Sequence, residues 1–347
     1  MTSLRLRADR QLIRSRGSSV RFLLASISAP AGPPRKDRMP VNISLILDRS
    51  GSMQGENKFP LAVNATRQAL ALLGNADRFS LVVFDDQVDV LMPSTVATAD
   101  AKKRAIRALN QVHPRQSTDL CAGWMNGCEQ LSEFVADGTI SRALLLTDGQ
   151  ANSGETNHEV LAHHAAELNR RGITTSAFGV GADFDERLLR DIATEGGGNF
   201  YFVQRADQIA DLVTSELGEA LEVVMPRATL TVTAPRGAEV TVLNRFRSRR
   251  SQGRTGNTIE LGDLVSAQEL DVVIRVKFAL GEVDDTVEVR AGLNGEPPAT
   301  VAFTRLLVRR PEASTMNDSV LKPIVVSGGE LDSTTSAARP LCTSQTR

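Results

Sequence analysis

Ile46-Leu47-Asp48-Arg49-Ser50-Gly51-Ser52-Met53 is the stretch whose reading decides the fold. An apolar run, Val41–Leu47, ends in a carboxylate. Two hydroxyls follow at a spacing of two, on a turn that contains Gly51. The run is short enough for a strand, and its Val, Ile and Leu content suits a parallel sheet buried on both faces. Asp48, Ser50 and Ser52 therefore project from one loop at a strand's carboxyl end. All three are hard oxygen donors, the chemistry that Mg2+ prefers. Two more segments are placed to meet this loop. Gln116-Ser117-Thr118-Asp119-Leu120 is a polar turn just before a helical pattern, and Leu144-Leu145-Leu146-Thr147-Asp148-Gly149 is a second apolar run ending in a carboxylate.

Outward from this loop, apolar runs recur at Phe79–Phe84, Ala143–Thr147 and Ile173–Val180. Helical patterns are read over Phe59–Leu73, Asp119–Val135, Asn157–Arg171, Phe184–Thr194 and Arg205–Leu221. This alternation predicts an α/β fold with a doubly wound, mostly parallel sheet, whose ligands bind at the strands' carboxyl ends near a topological switch point. The later chain differs. In residues 272–278 the even positions are apolar and the odd ones become charged at Arg275 and Lys277; Val287, Val289 and Ala291 alternate with Glu288 and Arg290, and Val301 and Phe303 follow the same period. That period of two predicts a β-sandwich. Leu4-Arg5-Leu6-Arg7-Ala8-Asp9 alternates in the same way. The N-terminal strands are expected to complete the sandwich and leave the α/β segment as an insertion. The expected domains are residues 1–35 (first sandwich strands), 39–221 (α/β domain), 225–310 (remaining sandwich) and 311–347, a Ser- and Thr-rich tail expected to be disordered.

Composition narrows the function classes. The chain has 347 residues, 41% of them hydrophobic and 23% charged, enough apolar material for full cores. No apolar run reaches the ~20 residues of a membrane-spanning helix. A net charge of -1 argues against a dedicated nucleic-acid binder. Cys121 and Cys128, seven apart in a helical pattern, lie ~10 Å apart and too far for a disulfide. With Cys342 they make no disulfide scaffold. This cysteine usage and an Arg-rich N-terminus without the layout of a signal peptide favour a cytoplasmic location, with export as the alternative.

At this point the motifs resemble those of the von Willebrand factor type A domain with a metal-ion-dependent adhesion site. The Asp-x-Ser-x-Ser motif is met by Asp48, Ser50 and Ser52, the loop threonine by Thr118, and the later aspartate of Thr-Asp-Gly by Asp148. The likeness runs on through Phe178-Gly179-Val180-Gly181 and Gly197-Gly198-Asn199-Phe200-Tyr201. The flanking strands resemble bacterial proteins that embed such a domain in a β-rich module, as inter-α-trypsin-inhibitor heavy chains and calcium-activated chloride-channel regulators also do. The resemblance implies a Mg2+ site, with Mn2+ or Ca2+ as alternatives, formed by Asp48, Ser50, Ser52, Thr118 and Asp148. It also implies a protein partner whose Asp or Glu side chain completes the coordination. Two aspartates beside a divalent ion leave the site near neutral, so an acid is not repelled. There are departures: Ser117 stands where relatives often have Gly, and Asp119 adds a carboxylate, read here as a helix cap.

Competing readings are weaker. A metal-dependent hydrolase or phosphatase using Asp48 lacks the second acid, because Ser50 stands there. A scaffold with a purely structural metal is the third reading. His158-Glu159-Val160-Leu161-Ala162-His163-His164 misses the zinc-protease spacing, since Ala162 stands where the second histidine is needed. Gly179-Val180-Gly181 lacks the third glycine of a dinucleotide loop. Arg245, Arg247, Arg249, Arg250 and Arg254 are read as a solvated hairpin. The oligomeric state is not legible.

Overall fold

Three strands open the chain: β1 (Ser3–Ala8), β2 (Leu12–Arg14) and β3 (Ser19–Ser28). The computed structural model describes residues 2–32, 38–115, 117–136, 138–148, 151–244, 246–250, 256–294 and 298–307. The expected disordered tail therefore lies outside the described residues, as does Cys342. An α/β segment follows: β4 (Val41–Asp48), α1 (Lys58–Leu72), β5 (Arg78–Phe84), β6 (Val88–Val96), α2 (Ala99–Leu109), α3 (Leu120–Ser132), β7 (Ile140–Thr147), α4 (His158–Arg170), β8 (Ile173–Val180), α5 (Glu186–Glu195), β9 (Gly197–Val203) and α6 (Ile209–Leu221). Its sheet order is β6-β5-β4-β7-β8-β9, parallel except at the β5–β6 pair.

Every residue of β4, β7 and β8 is buried, which is why apolar residues dominate them, with Asn42, Ser44, Ser141, Arg142, Thr174, Thr175 and Ser176 as buried polar exceptions. Two cores flank the sheet. Phe59, Ala62 and Leu70 of α1, Ala101 and Ala105 of α2, and Ile209 and Leu217 of α6 pack on one face. Leu120 and Trp124 of α3, Leu161 of α4 and Leu188 of α5 pack on the other. The chain winds from β4 to β5 on one side and then crosses to β7 on the other. The switch point thus lies between the carboxyl ends of β4 and β7.

Seven further strands complete the described chain: β10 (Val223–Thr233), β11 (Glu239–Val242), β12 (Arg247–Arg250), β13 (Gly256–Val265), β14 (Glu269–Phe278), β15 (Thr286–Leu293) and β16 (Ala299–Leu306). They form two sheets, β1-β3-β14-β11 and β12-β13-β10-β15-β16-β2. Val272, Ile274, Val276 and Phe278 of β14 point into a core shared by the two sheets, together with Leu23, Ala25 and Ile27 of β3. The antiparallel ladder of β3 on β14 runs from Ser28 opposite Glu269 to Ser19 opposite Phe278, so the first strands do join the late ones. Strand β6 and helix α2 are among the α/β elements that the apolar runs and helical patterns did not include. The predicted arginine hairpin is engaged where it is described: Arg247 pairs with Glu195, and Arg249 Nε lies 3.2 Å from Glu260.

Candidate functional site

Strand β4 delivers Asp48 to the carboxyl edge of the sheet, fully buried. Its Oδ1 accepts from the backbone N–H of Ser50 at 2.6 Å, which folds the loop back over the strand end. The other oxygen accepts from the hydroxyl of Thr147, the last residue of β7. Ser50 Oγ stands 3.0 Å from Ser52 Oγ, and Ser52 donates to Asp148 Oδ1 at 2.6 Å. Asp48, Ser50, Ser52 and Asp148 are thus gathered around the switch point by two parallel strands. Burial pushes the Asp48 carboxyl up to about 6, against the hydrogen bonds from Thr147 and Ser50, and the nearby charge of Asp148 adds to the rise.

Thr118 arrives by a separate route. It is buried, with 2% of its surface exposed. Its backbone N–H donates to Asn152 Oδ1 at 3.0 Å, and its carbonyl accepts from the N–H groups of Asn152 and Ser153. Asn152 and Ser153 therefore hold the Thr118 backbone at both its N–H and its carbonyl. Among the described residues no hydrogen bond joins the Thr118 hydroxyl to the side chains of the other four residues. Asp119 caps α3, accepting from Ala122 N–H at 2.9 Å. Gly154, with φ of +69°, passes so close that a Cβ there would lie 2.4 Å from the Asp119 carboxylate.

Buried Asp85, just after β5, ties the two loops together. Its carboxylate accepts from Arg49 Nε at 3.0 Å and from Arg115 Nη2 at 2.9 Å. Its carbonyl accepts from Asp119 N–H at 2.7 Å, while Arg115 N–H donates to Arg49 O at 2.7 Å. Burial opposes ionisation of Asp85, but these cationic donors and the Gln87 N–H hold its carboxyl below the usual range. Sequence reasoning missed Asp85, whose position after an apolar strand was its one signal. It also missed Lys58, whose ammonium lies 2.7 Å from Asp148 Oδ2 with 10% of the side chain exposed. The signal for Lys58 was a lysine opening a helix whose first turns, Phe59 to Val63, are apolar.

The donors suit a hard divalent ion. In an octahedron with ~2.1 Å bonds, neighbouring oxygens lie ~3.0 Å apart. The Ser50–Ser52 separation of 3.0 Å matches that edge. The set holds two carboxylates and otherwise hydroxyls, so it differs from a site built of acids and imidazoles; among the described residues no group of three His, Cys, Asp or Glu is placed to hold a metal. His158 is instead bonded to Asp185 at 2.9 Å.

The model of the von Willebrand factor type A domain matches residues 42–215. The chain belongs to this family. Domains of the family commonly mediate protein–protein interaction. Among curated proteins, the chain is similar to the uncharacterized protein YfbK of Escherichia coli K12, 25% identical over 200 residues, covering 57% of this chain and 34% of that one. It is also similar to human inter-alpha-trypsin inhibitor heavy chain H4, 29% identical over 171 residues, covering 46% of this chain and 18% of that one. The chain thus spans about a third of the first relative and under a fifth of the second. Among solved structures, a von Willebrand factor type A protein from Catenulispora acidiphila superposes with a TM-score of 0.70 at 17% identity, covering 88% of this chain and 74% of that chain. This last likeness concerns the fold, and its reach beyond the α/β segment includes the antiparallel sheets. Among the described residues no helix is long and apolar enough to cross a membrane.

Proposed function

We propose that the chain is a Mg2+-dependent protein-binding module that grips an Asp or Glu side chain of its partner. Asp48, Ser50, Ser52 and Asp148 would hold the ion, with Thr118 as the fifth ligand; Mn2+ or Ca2+ are the alternatives. The observation that carries the reading is the chain of close oxygens from Ser50 through Ser52 to Asp148, which joins the ends of β4 and β7 beside buried Asp48. When bound, the ion supplies a Lewis-acidic position for an incoming carboxylate. The protein's own residues do the rest. Asp85, through Arg49 and Arg115, fixes the spacing of the two loops, and Asn152 fixes the height of Thr118. The uncommon burial of polar side chains here fits a site organised before its ligand arrives.

Calorimetric titration with MgCl2 tests the proposal. The chain should bind Mg2+, and Asp48→Ala should abolish that binding while circular dichroism stays unchanged. Equal binding by wild type and Asp48→Ala, or binding by neither, refutes it.

A further inference from the structure

Lys58 is placed against three opposing effects. It is the first residue of α1, so its ammonium sits at the end of a helix where the backbone already presents positive charge. Only 10% of its side chain is exposed, and burying a charge is costly unless it is paired. The chain reaches it through two successive non-glycine residues in the left-handed region, Glu56 with φ of +52° and Asn57 with φ of +56°. Such backbone strain persists where the surrounding structure imposes it, often at binding sites. Space for the ammonium is left by Gly181, with φ of +84°, where a Cβ would stand 3.2 Å from Nζ. Within this placement the ammonium meets Asp148 Oδ2 at 2.7 Å, while Asp148 Oδ1 receives the Ser52 hydroxyl. One carboxylate is thereby shared between the oxygen cluster and a fixed cation.

We propose that Lys58 is a specificity-determining residue that sets the charge of the metal site so that ion and acidic ligand bind as a unit. The inference rests on the metal-dependent reading above. The ionised carboxylates of Asp48 and Asp148 and the ammonium of Lys58 sum to a charge of −1. A divalent ion brings the site to +1, and one incoming carboxylate brings it to zero. Without Lys58 the loaded site would already be neutral. The lysine therefore weakens the hold on the bare ion and strengthens the pull on an acid. By reciprocity, an acid that binds the loaded site tightens the ion by the same factor.

The test titrates MgCl2 into the full chain in a carboxylate-free chloride buffer, for wild type, Lys58→Met, Lys58→Gln and Lys58→Arg. The titrations are repeated in excess sodium acetate, with ionic strength held by sodium chloride in the controls. Lys58→Met and Lys58→Gln should bind Mg2+ about tenfold more tightly than wild type, within the usual range of site–site coupling. Lys58→Arg should bind as wild type does. Acetate should tighten Mg2+ binding in wild type and Lys58→Arg, and leave it unchanged in the two neutral variants. Folded neutral variants that bind Mg2+ no better than wild type overturn the inference. So does failure of both to fold, since Lys58 would then be an architectural residue. If Mg2+ binding depends on Asp48 but ignores the charge at 58, this inference falls alone; if no variant binds Mg2+, the metal reading falls with it.

Discussion

Replacing Glu216 by alanine should cost the fold about 4 kcal/mol. Glu216 lies on α6 and is fully buried. Its Oε1 accepts from Arg142 Nη1 and Ser176 Oγ, each at 2.6 Å. Its Oε2 accepts from Asn199 Nδ2 at 2.9 Å and Tyr201 Oη at 2.5 Å. Three strands of the sheet, β7, β8 and β9, are therefore tied to one carboxylate. Removing one partner of a buried ion pair costs ~3–5 kcal/mol. Arg142 keeps Asp263 at 2.7 Å, which lowers the figure. Three orphaned donors, at ~1–3 kcal/mol each when left dry, raise it again, although water that enters the space satisfies some of them. Urea unfolding followed by circular dichroism and by the fluorescence of Trp124, the single tryptophan, measures the change. Glu216→Gln should lose less than half as much. In a double-mutant cycle, Arg142→Met should couple to Glu216→Ala by more than about 1.5 kcal/mol. A loss below about 1 kcal/mol for Glu216→Ala, or a coupling near zero, would refute the reasoning that this buried network pins α6.

The same carboxylate predicts a pH dependence. Burial opposes ionisation of Glu216, but the charge of Arg142 and the three hydrogen bonds overcome it and hold the carboxyl below its ordinary value of 4.5. Its contribution to stability is therefore complete above that ordinary value and is lost as pH falls towards the folded one, so wild type should lose more stability than Glu216→Gln between about pH 5 and pH 3 in urea titrations. Asp119→Ala removes the cap of α3 and should cost about 1 kcal/mol, yet leave Mg2+ affinity unchanged by calorimetry; a large drop in affinity would make Asp119 a ligand. At Gly123 a Cβ would stand 2.2 Å from Phe84 Cγ. Gly123→Ala should thus destabilise by about 1–3 kcal/mol in thermal or urea unfolding, and a neutral result would show that α3 can lift from the sheet.

Much of the α/β segment was legible because β4, β7 and β8 are buried on both faces and so carry mostly apolar stretches such as Leu45-Ile46-Leu47 and Ala143-Leu144-Leu145-Leu146. Strand β6 was not, because it lies at the sheet edge and carries Asp89, Pro93 and Ser94 among its apolar residues. Helix α2 escaped for a different reason. Its buried stripe is Ala101, Ala105 and Leu109, and alanine is too weakly apolar to stand out among Lys102, Lys103, Arg104 and Arg107. At the site, Asp48, Ser50, Ser52 and Asp148 were visible as polar residues at the ends of apolar strands. Lys58 and Glu216 were not. A lysine at a helix start and a glutamate within a helix read locally as solvated, and only the packing of distant strands shows that both are buried.

The placement of the antiparallel sheets follows from how the α/β segment is spliced into them. The chain leaves β3 and enters the segment past Ala29, whose N–H donates to Gln268 O, and past Gly32, whose N–H donates to Ser266 Oγ at 2.8 Å. It leaves α6 at Glu222, whose carbonyl accepts from Ser266 N–H. Both crossings are thus fastened to one turn, at which Ala267 adopts a φ of +57°. Closing the inserted segment at a single point means that its two ends need not be brought together by long linkers. The same turn dictates orientation. Beyond this turn, Arg142 to Asp263 and Arg247 to Glu195 also join the halves, at the amino ends of the parallel strands. Arg142 and Asp148 are six residues apart along one extended stretch, which is ~20 Å. The splice therefore anchors one pole of the α/β sheet and directs the pole that carries Asp48 and Asp148 away from these joins. A variant that cuts Arg142 from Asp263 should then loosen the halves without disturbing the site, and Mg2+ affinity in Asp263→Asn should match that of wild type.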